Sequence, residues 1–328
     1  MPIHEAPIHE AFVYMHGVST QRDDDKSHQE LYERLHGEVL EANRSVPPAY
    51  VGIEWGWAYR GIENAKGHEL LTRAQANLAA GITEAVNREV DFTLNPLRLA
   101  LKAARPLIAF GFADAFYYTS ADGKRQVRSA MILQIVEALR DEIEAAKNGD
   151  TLISLSFVAH SAGSMAVFDL LYYLFGDPDC TFIRTDHDDP DADVCERAND
   201  AISPLRELAR DGKLRIRRFF SLGSPIAPLA VRADPVLEIL ADPSGPGALD
   251  PAQYGLTRNP SAFGDPLDNP RWINMWDKDD LIAWPIEPLM QYHKSVKDWY
   301  VDVSDSVAKA HNAYWSSIKV QRLIADKW

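Results

Sequence analysis

The sequence predicts an α/β domain, a mostly parallel sheet covered by helices on both faces. Three observations carry that expectation. Short apolar and β-branched runs alternate with longer helix-prone stretches, the pattern of parallel strands joined by crossover helices. One junction, FVAHSAGSMAVFDLL at residues 157–171, passes from a strand-like run to a helix-like run through a serine with small neighbours. The composition, 46% hydrophobic and 25% charged over 328 residues, suits one large globular domain with insertions or two smaller domains.

The elements follow in order. Residues 1–12, MPIHEAPIHEAF, have no basic start and no apolar run, so no signal peptide is expected; the tandem PIHEA reads as a tail. Residues 11–15 (AFVYM) read as a strand, 27–42 as a polar helix and 50–57 (YVGIEWGW) as a second strand. Residues 58–90 are polar and helix-prone, and 95–118 are unusually apolar and broken by Pro106. The clearest helix is 126–147. Val127, Met131, Ile135, Leu139 and Ile143 recur every four residues, and Asn148-Gly149 ends it. After that turn, TLISLSFVAH at 151–160 reads as a buried strand. From Ala162 a helix apolar nearly all round runs to the stop at Gly176-Asp177-Pro178. Residues 177–200 read as an acidic loop, 214–222 as a strand before Gly223-Ser224-Pro225, and 242–270 as a long Pro/Gly/Asn/Asp-rich loop. WINMW at 272–276 is a strand, 299–303 a last short one, and 311–323 a closing amphipathic helix.

The formal charge of −14 opposes binding to nucleic acid or to an anionic membrane surface. No apolar run reaches membrane-spanning length. Two cysteines do not suggest a disulfide framework, so a cytoplasmic location is expected.

A sharp strand-to-helix turn holds a serine hydroxyl above the sheet edge and aims the free N–H groups of a helix start at it. Ser161 stands at such a turn; the bland alternative is a serine cap on a buried helix. Ala159-His160-Ser161-Ala162-Gly163 resembles the nucleophile elbow of the α/β-hydrolase family, with Ala in place of the first Gly. Three further stretches resemble the lipase and esterase branch. Asp280-Leu281-Ile282-Ala283 follows the WINMW strand as Asp-Pro-Val-Ala does there, with Leu for Pro. His311 precedes Tyr314-Trp315, and His16-Gly17 follows the first strand. The order Ser, Asp, His is that of the family. Asp277 and Asp279 compete with Asp280, and all three could instead form a solvated acidic turn. The resemblance covers about residues 11–18 and 151–323.

What the resemblance implies is a single α/β-hydrolase domain over 1–328, with a cap or lid inserted within 58–125. Ser161 would be the nucleophile, His311 the base and Asp280 its orienting acid. The N–H groups of Val18 and Ala162 would form the oxyanion hole, with His16, Gly17 and His160 supporting it. The expected activity is hydrolysis of a small-molecule or lipid-like acyl ester through an acyl-enzyme, with no cofactor. An acyltransferase or amidase using the same triad is the alternative. A non-catalytic binding module on the same fold is a further one. In the unmatched segment, Phe110 or Phe112 is expected to line an acyl pocket under a lid hinged at Pro106 and Gly111; an ordinary buried core helix is the alternative. In the 177–200 stretch, Cys180, His187 and Cys195 could hold zinc. Asp189, Asp191 and Asp193 could hold calcium, but Val194 replaces the needed glycine, so no metal is expected.

Overall fold

The structure is a computed structural model that describes residues 7–17, 28–55, 118–176, 181–184, 192–230, 247, 249–257 and 270–328. Among them six strands form one sheet: β1 (Ile8–Met15), β2 (Tyr50–Ile53), β3 (Leu152–His160), β4 (Leu214–Leu222), β5 (Trp272–Trp276) and β6 (Val296–Tyr300). Their order is β2-β1-β3-β4-β5-β6, and every neighbouring pair is parallel. The chain is thus an α/β fold with a parallel central sheet.

Side-chain alternation gives the sheet two buried faces. Ala11, Val13 and Met15 of β1 enter one apolar cluster, with Phe157 of β3 and Ile216 of β4. The helices α2 (Ala121–Ala138), α3 (Arg140–Asn148), α4 (Ala162–Phe175) and α5 (Ala192–Arg210) cover that side. Phe12 and Tyr14 point the other way, with Val158, Phe220, Ile273 and Met275, against α1 (Gln29–Ala42) and the C-terminal helix α8 (Ile318–Lys327). Two short helices, α6 (Ile226–Ala230) and α7 (Val307–Ala313), sit in the connections after β4 and β6. No helix among the described residues is long and apolar enough to cross a membrane.

Topology selects the place for a site. From β1 the chain steps one way to β2 and the other way to β3, so the carboxyl ends of β1 and β3 flank the point where the winding reverses. Parallel sheets open a ligand crevice there.

The structure corrects several expected bounds. The helix expected over 126–147 is two, broken at Leu139 (φ −111°, ψ 21°). A stripe recurring every four residues slides about 40° per repeat around a straight helix, and the break brings it back to the sheet. The acidic stretch 177–200 is a loop only in part: 192–200 are the first half of α5. Its Cys195, Ala198, Ile202, Leu205 and Leu208 are buried at helical spacing. The last strand lies at Val296–Tyr300 rather than 299–303. Its polar Asp298 bonds inward, to the N–H groups of Ile286 and Glu287 and to the Asn274 amide. The closing helix begins earlier and is interrupted, as α7, a 3₁₀ turn at Tyr314–Ser316 and α8. The second strand stops at Ile53 rather than 57. Within 242–270, the described part contains a 3₁₀ turn at Pro251–Tyr254. Most of the expected cap, residues 58–117 with Phe110 and Phe112, lies outside the described residues, as do Val18, Cys180, His187, Asp189 and Asp191. The end of that span, 121–125, is the first turn of α2, capped by the Ser120 hydroxyl accepting from Gly123 N–H.

Candidate active site

Ser161 joins β3 to α4 with φ 50° and ψ −128°, a conformation a residue with a side chain adopts only under strain. Its surroundings hold it there. Ser161 N–H donates to Leu222 O of β4 (2.9 Å), and Ser161 O accepts from the N–H (3.0 Å) and hydroxyl (2.5 Å) of Ser164. Ser164 Oγ in turn meets Ser224 Oγ at 2.8 Å. The turn also needs close backbone approach. A Cβ on Gly163 would lie 2.2 Å from His16 O, and one on Gly17 would lie 2.5 Å from Ser161 Cβ. Ala159 is fully buried in the sheet, so the small-residue demand at that position is met by Ala.

The sequence separates Ser161 and His311 by 150 residues, and the fold brings them to 2.8 Å, Oγ to Nε2. His311 Nδ1 lies 3.1 and 3.0 Å from the two Asp280 carboxylate oxygens. With Nδ1–H donating to Asp280, Nε2 is left as the acceptor for the serine hydroxyl. Ser161, Asp280 and His311 are 1%, 3% and 3% exposed, so their interactions run in a weakly screened setting. Burial pushes the Asp280 carboxyl up. The His311 ring beside it and the Ile282 N–H pull it further down, and the net value lies below the ordinary carboxylate range. The Ala162 N–H is the first of α4 and has no acceptor within the helix.

The expected support around β1 takes a definite form. Trp55 N–H donates to His16 Nε2 (3.1 Å), so His16 Nδ1–H donates to Gly17 O (2.5 Å). Trp55 Nε1–H donates to His16 O, and His16 N–H donates to the Tyr32 hydroxyl, which donates to Ile53 O. His16 is therefore held at both ring nitrogens and at both backbone groups. His160 Nε2–H donates to His311 O (2.6 Å), tying the His311 backbone to the turn between β3 and α4. Burial, and then the neighbouring His311, push His160 down to about 3, so it stays neutral.

Four contributors act through contacts that their local sequence does not reveal. Gly223 (φ 60°) lets β4 end against the pair: a Cβ there would lie 2.9 Å from Asp280 Oδ2 and 2.9 Å from the Tyr314 ring. Asp277 is fully buried and accepts N–H bonds from Asp279, Val303 and Ser304. The Tyr314 hydroxyl accepts from Asp277 N–H at 3.0 Å. Ser224 completes the Ser164 bond. Of the three aspartates, only Asp279 fits a solvated turn, paired with exposed Lys278.

One other cluster has metal-ligand chemistry. Ligand atoms of His16, His28 and Glu54 all lie within 4.8 Å of one another. The two imidazoles stack face to face, centroids 3.7 Å apart and 5° from parallel, so their in-plane lone pairs run side by side rather than converging. His28 Nδ1 meets Glu54 Oε2 at 3.1 Å, and His16 Nε2 is occupied by Trp55 N–H. As arranged this is a hydrogen-bonded stack behind the β1 loop. Comparison of the chain with protein-family models, with curated proteins and with solved structures finds no match.

Proposed function

We propose that this chain is a serine hydrolase of the α/β-hydrolase type that cleaves carboxylic esters. The observation that carries the reading is the unbroken hydrogen-bonded series Ser161–His311–Asp280, with Ser161 strained at the carboxyl end of β3. A serine nucleophile needs a base within hydrogen-bond reach and an acid that orients the base, and both are present at bonding distance.

The steps follow. Ser161 Oγ attacks the ester carbonyl carbon as His311 Nε2 takes its proton. The Ala162 N–H stabilises the negative oxygen, joined by a donor from the loop after Gly17, where Val18 is the candidate. His311 gives the proton to the departing alkoxide oxygen, and the alcohol leaves. Water then gives a proton to His311 and attacks the acyl carbon. The carboxylic acid departs and Ser161 regains its proton. Asp280 holds the imidazole in the Nδ1–H tautomer throughout and offsets its positive charge.

A fluorophosphonate probe with mass-spectrometric site mapping tests the reading. Label is expected on Ser161 and is expected to vanish in Ser161→Ala. That variant should lose roughly 10⁴- to 10⁶-fold in kcat on a short p-nitrophenyl ester, with its fold intact. Activity within about tenfold of the parent would refute the assignment. An added alcohol acceptor distinguishes hydrolysis from acyl transfer by its product.

A further inference from the structure

The chain carries 48 Asp and Glu against 34 Lys and Arg, so a hollow lined by cations runs against its balance. One such cavity, of about 510 Å³, lies beside the start of α2. Lys124, Arg125 and Arg128 of α2 and Arg184 line it, and no carboxylate does so among the described residues. Two of these charges are answered from outside the cavity: Arg125 pairs with Asp122, and Arg128 with Asp169 of α4. Arg128 is further fixed by the Tyr118 hydroxyl, the Phe182 carbonyl and the face of the Phe182 ring. Lys124 and Arg184 have no carboxylate partner among the described residues. The Thr119 and Thr181 side chains add hydroxyls to the wall, and Phe182 and Ile183 make part of it apolar.

We propose that this hollow is a binding site for a small organic phosphate, separate from the Ser161 cluster. Two cations without a carboxylate partner among the described residues suit a dianion, and the guanidinium fork suits phosphate oxygens. The volume falls in the range of metabolite sites and exceeds what a lone phosphate fills. The Phe182–Ile183 wall gives the organic body an apolar surface. None of the lining residues belongs to the Ser161–His311–Asp280 series, so the proposal stands apart from the hydrolase reading.

The test is calorimetric titration of the full chain with glucose 6-phosphate, inorganic phosphate and glucose, repeated on the double variant Lys124→Gln/Arg184→Gln. Both substituted side chains reach solvent and make no internal bond among the described residues, and circular dichroism checks that the variant folds. Saturable binding of glucose 6-phosphate is expected, tighter than inorganic phosphate, with none for glucose. The double variant should bind about tenfold more weakly or worse, since it removes two charged hydrogen-bond donors. Binding should also fall as salt rises. No saturable binding of either phosphate below about 10 mM would overturn the proposal. Equal affinity for inorganic phosphate and glucose 6-phosphate, or unchanged affinity in the double variant, would overturn it as well.

Discussion

At the scale of single residues, three aspartates within four positions do different things. Asp280→Asn should lower kcat by several orders of magnitude, about 10⁴-fold, because an amide at that place favours the wrong imidazole tautomer. Asp279→Asn should leave both rate and stability near the parent, since its partner is an exposed lysine. Asp277→Asn should act on stability, because its carboxylate accepts three backbone N–H groups with no water to replace it. Steady-state kinetics beside urea unfolding separates the three, and a catalytic defect confined to Asp279→Asn would move the acid to another residue. His160 gives a pH prediction. Its folded value near 3 lies below the ordinary imidazole value of 6.5. Between those limits the unfolded chain takes up a proton that the native chain refuses. Stability is therefore full above 6.5 and falls as pH drops toward 3, by an amount on the order of 4–5 kcal/mol. His36, also lowered by burial, adds in the same sense, and Asp280 adds below about 4, where its unfolded carboxyl protonates and the native one resists. His160→Gln keeps a donor for His311 O and removes the titration. Its unfolding free energy should vary less steeply from pH 7 to 4.5 (about two units below the imidazole value) than the parent's. Equal slopes would show that His160 is not the group responsible.

At the scale of elements, the elbow depends on how closely α4 approaches β1. Gly163→Ala puts a methyl 2.2 Å from His16 O, a backbone atom with no room to yield. The variant should lose about 1–3 kcal/mol and most activity, because the His16-Gly17 loop is pushed from Ser161. Gly37→Ala, inside α1 with nothing within 4 Å, should instead gain about 0.5–1 kcal/mol. Denaturant midpoints of the two variants moving in the same direction would contradict this geometry. The same elements show what the sequence makes legible. The elbow strand and helix and WINMW were readable because β-branched runs end at strong turn residues and α4 is apolar nearly all round. Ser161, Asp280 and His311 were readable from their order and local motifs. The helix α5 was hidden by acidic residues at its start and by Pro204 within it, which mask an apolar stripe that only packing reveals. The sequence places strand β6 too late because Asp298 looks solvated until its three N–H and amide partners are known. Gly223, Asp277 and Tyr314 contribute through contacts with residues far along the chain, a relation no local window contains.

At the scale of the whole molecule, the site depends on elements from both ends of the described chain. The elbow rises from the centre of the sheet, while His311 arrives on α7, between β6 and α8. The face on that side is the smaller of the two apolar clusters, and among the described residues α1 and α8 are the long helices covering it. Asn43 at the end of α1 donates to Ala325 O of α8, so the two covers are also bonded to each other. Packing at α8 should therefore set stability without setting chemistry. Ile324 is fully buried in the cluster that also holds Phe12, Val158 and Phe220, whereas Ile318 on the same helix is 61% exposed. Ile324→Ala removes three methyl or methylene groups from the core and should cost about 2–5 kcal/mol, and Ile318→Ala should cost less than about 0.5 kcal/mol. Neither side chain belongs to the hydrogen-bonded series Ser161–His311–Asp280, so kcat/KM measured well below the melting transition should stay near the parent for both. Unfolding curves and ester kinetics on the two variants decide the matter. If Ile324→Ala loses activity while still fully folded, the covering helix positions His311 directly, and stability and catalysis are coupled through α8.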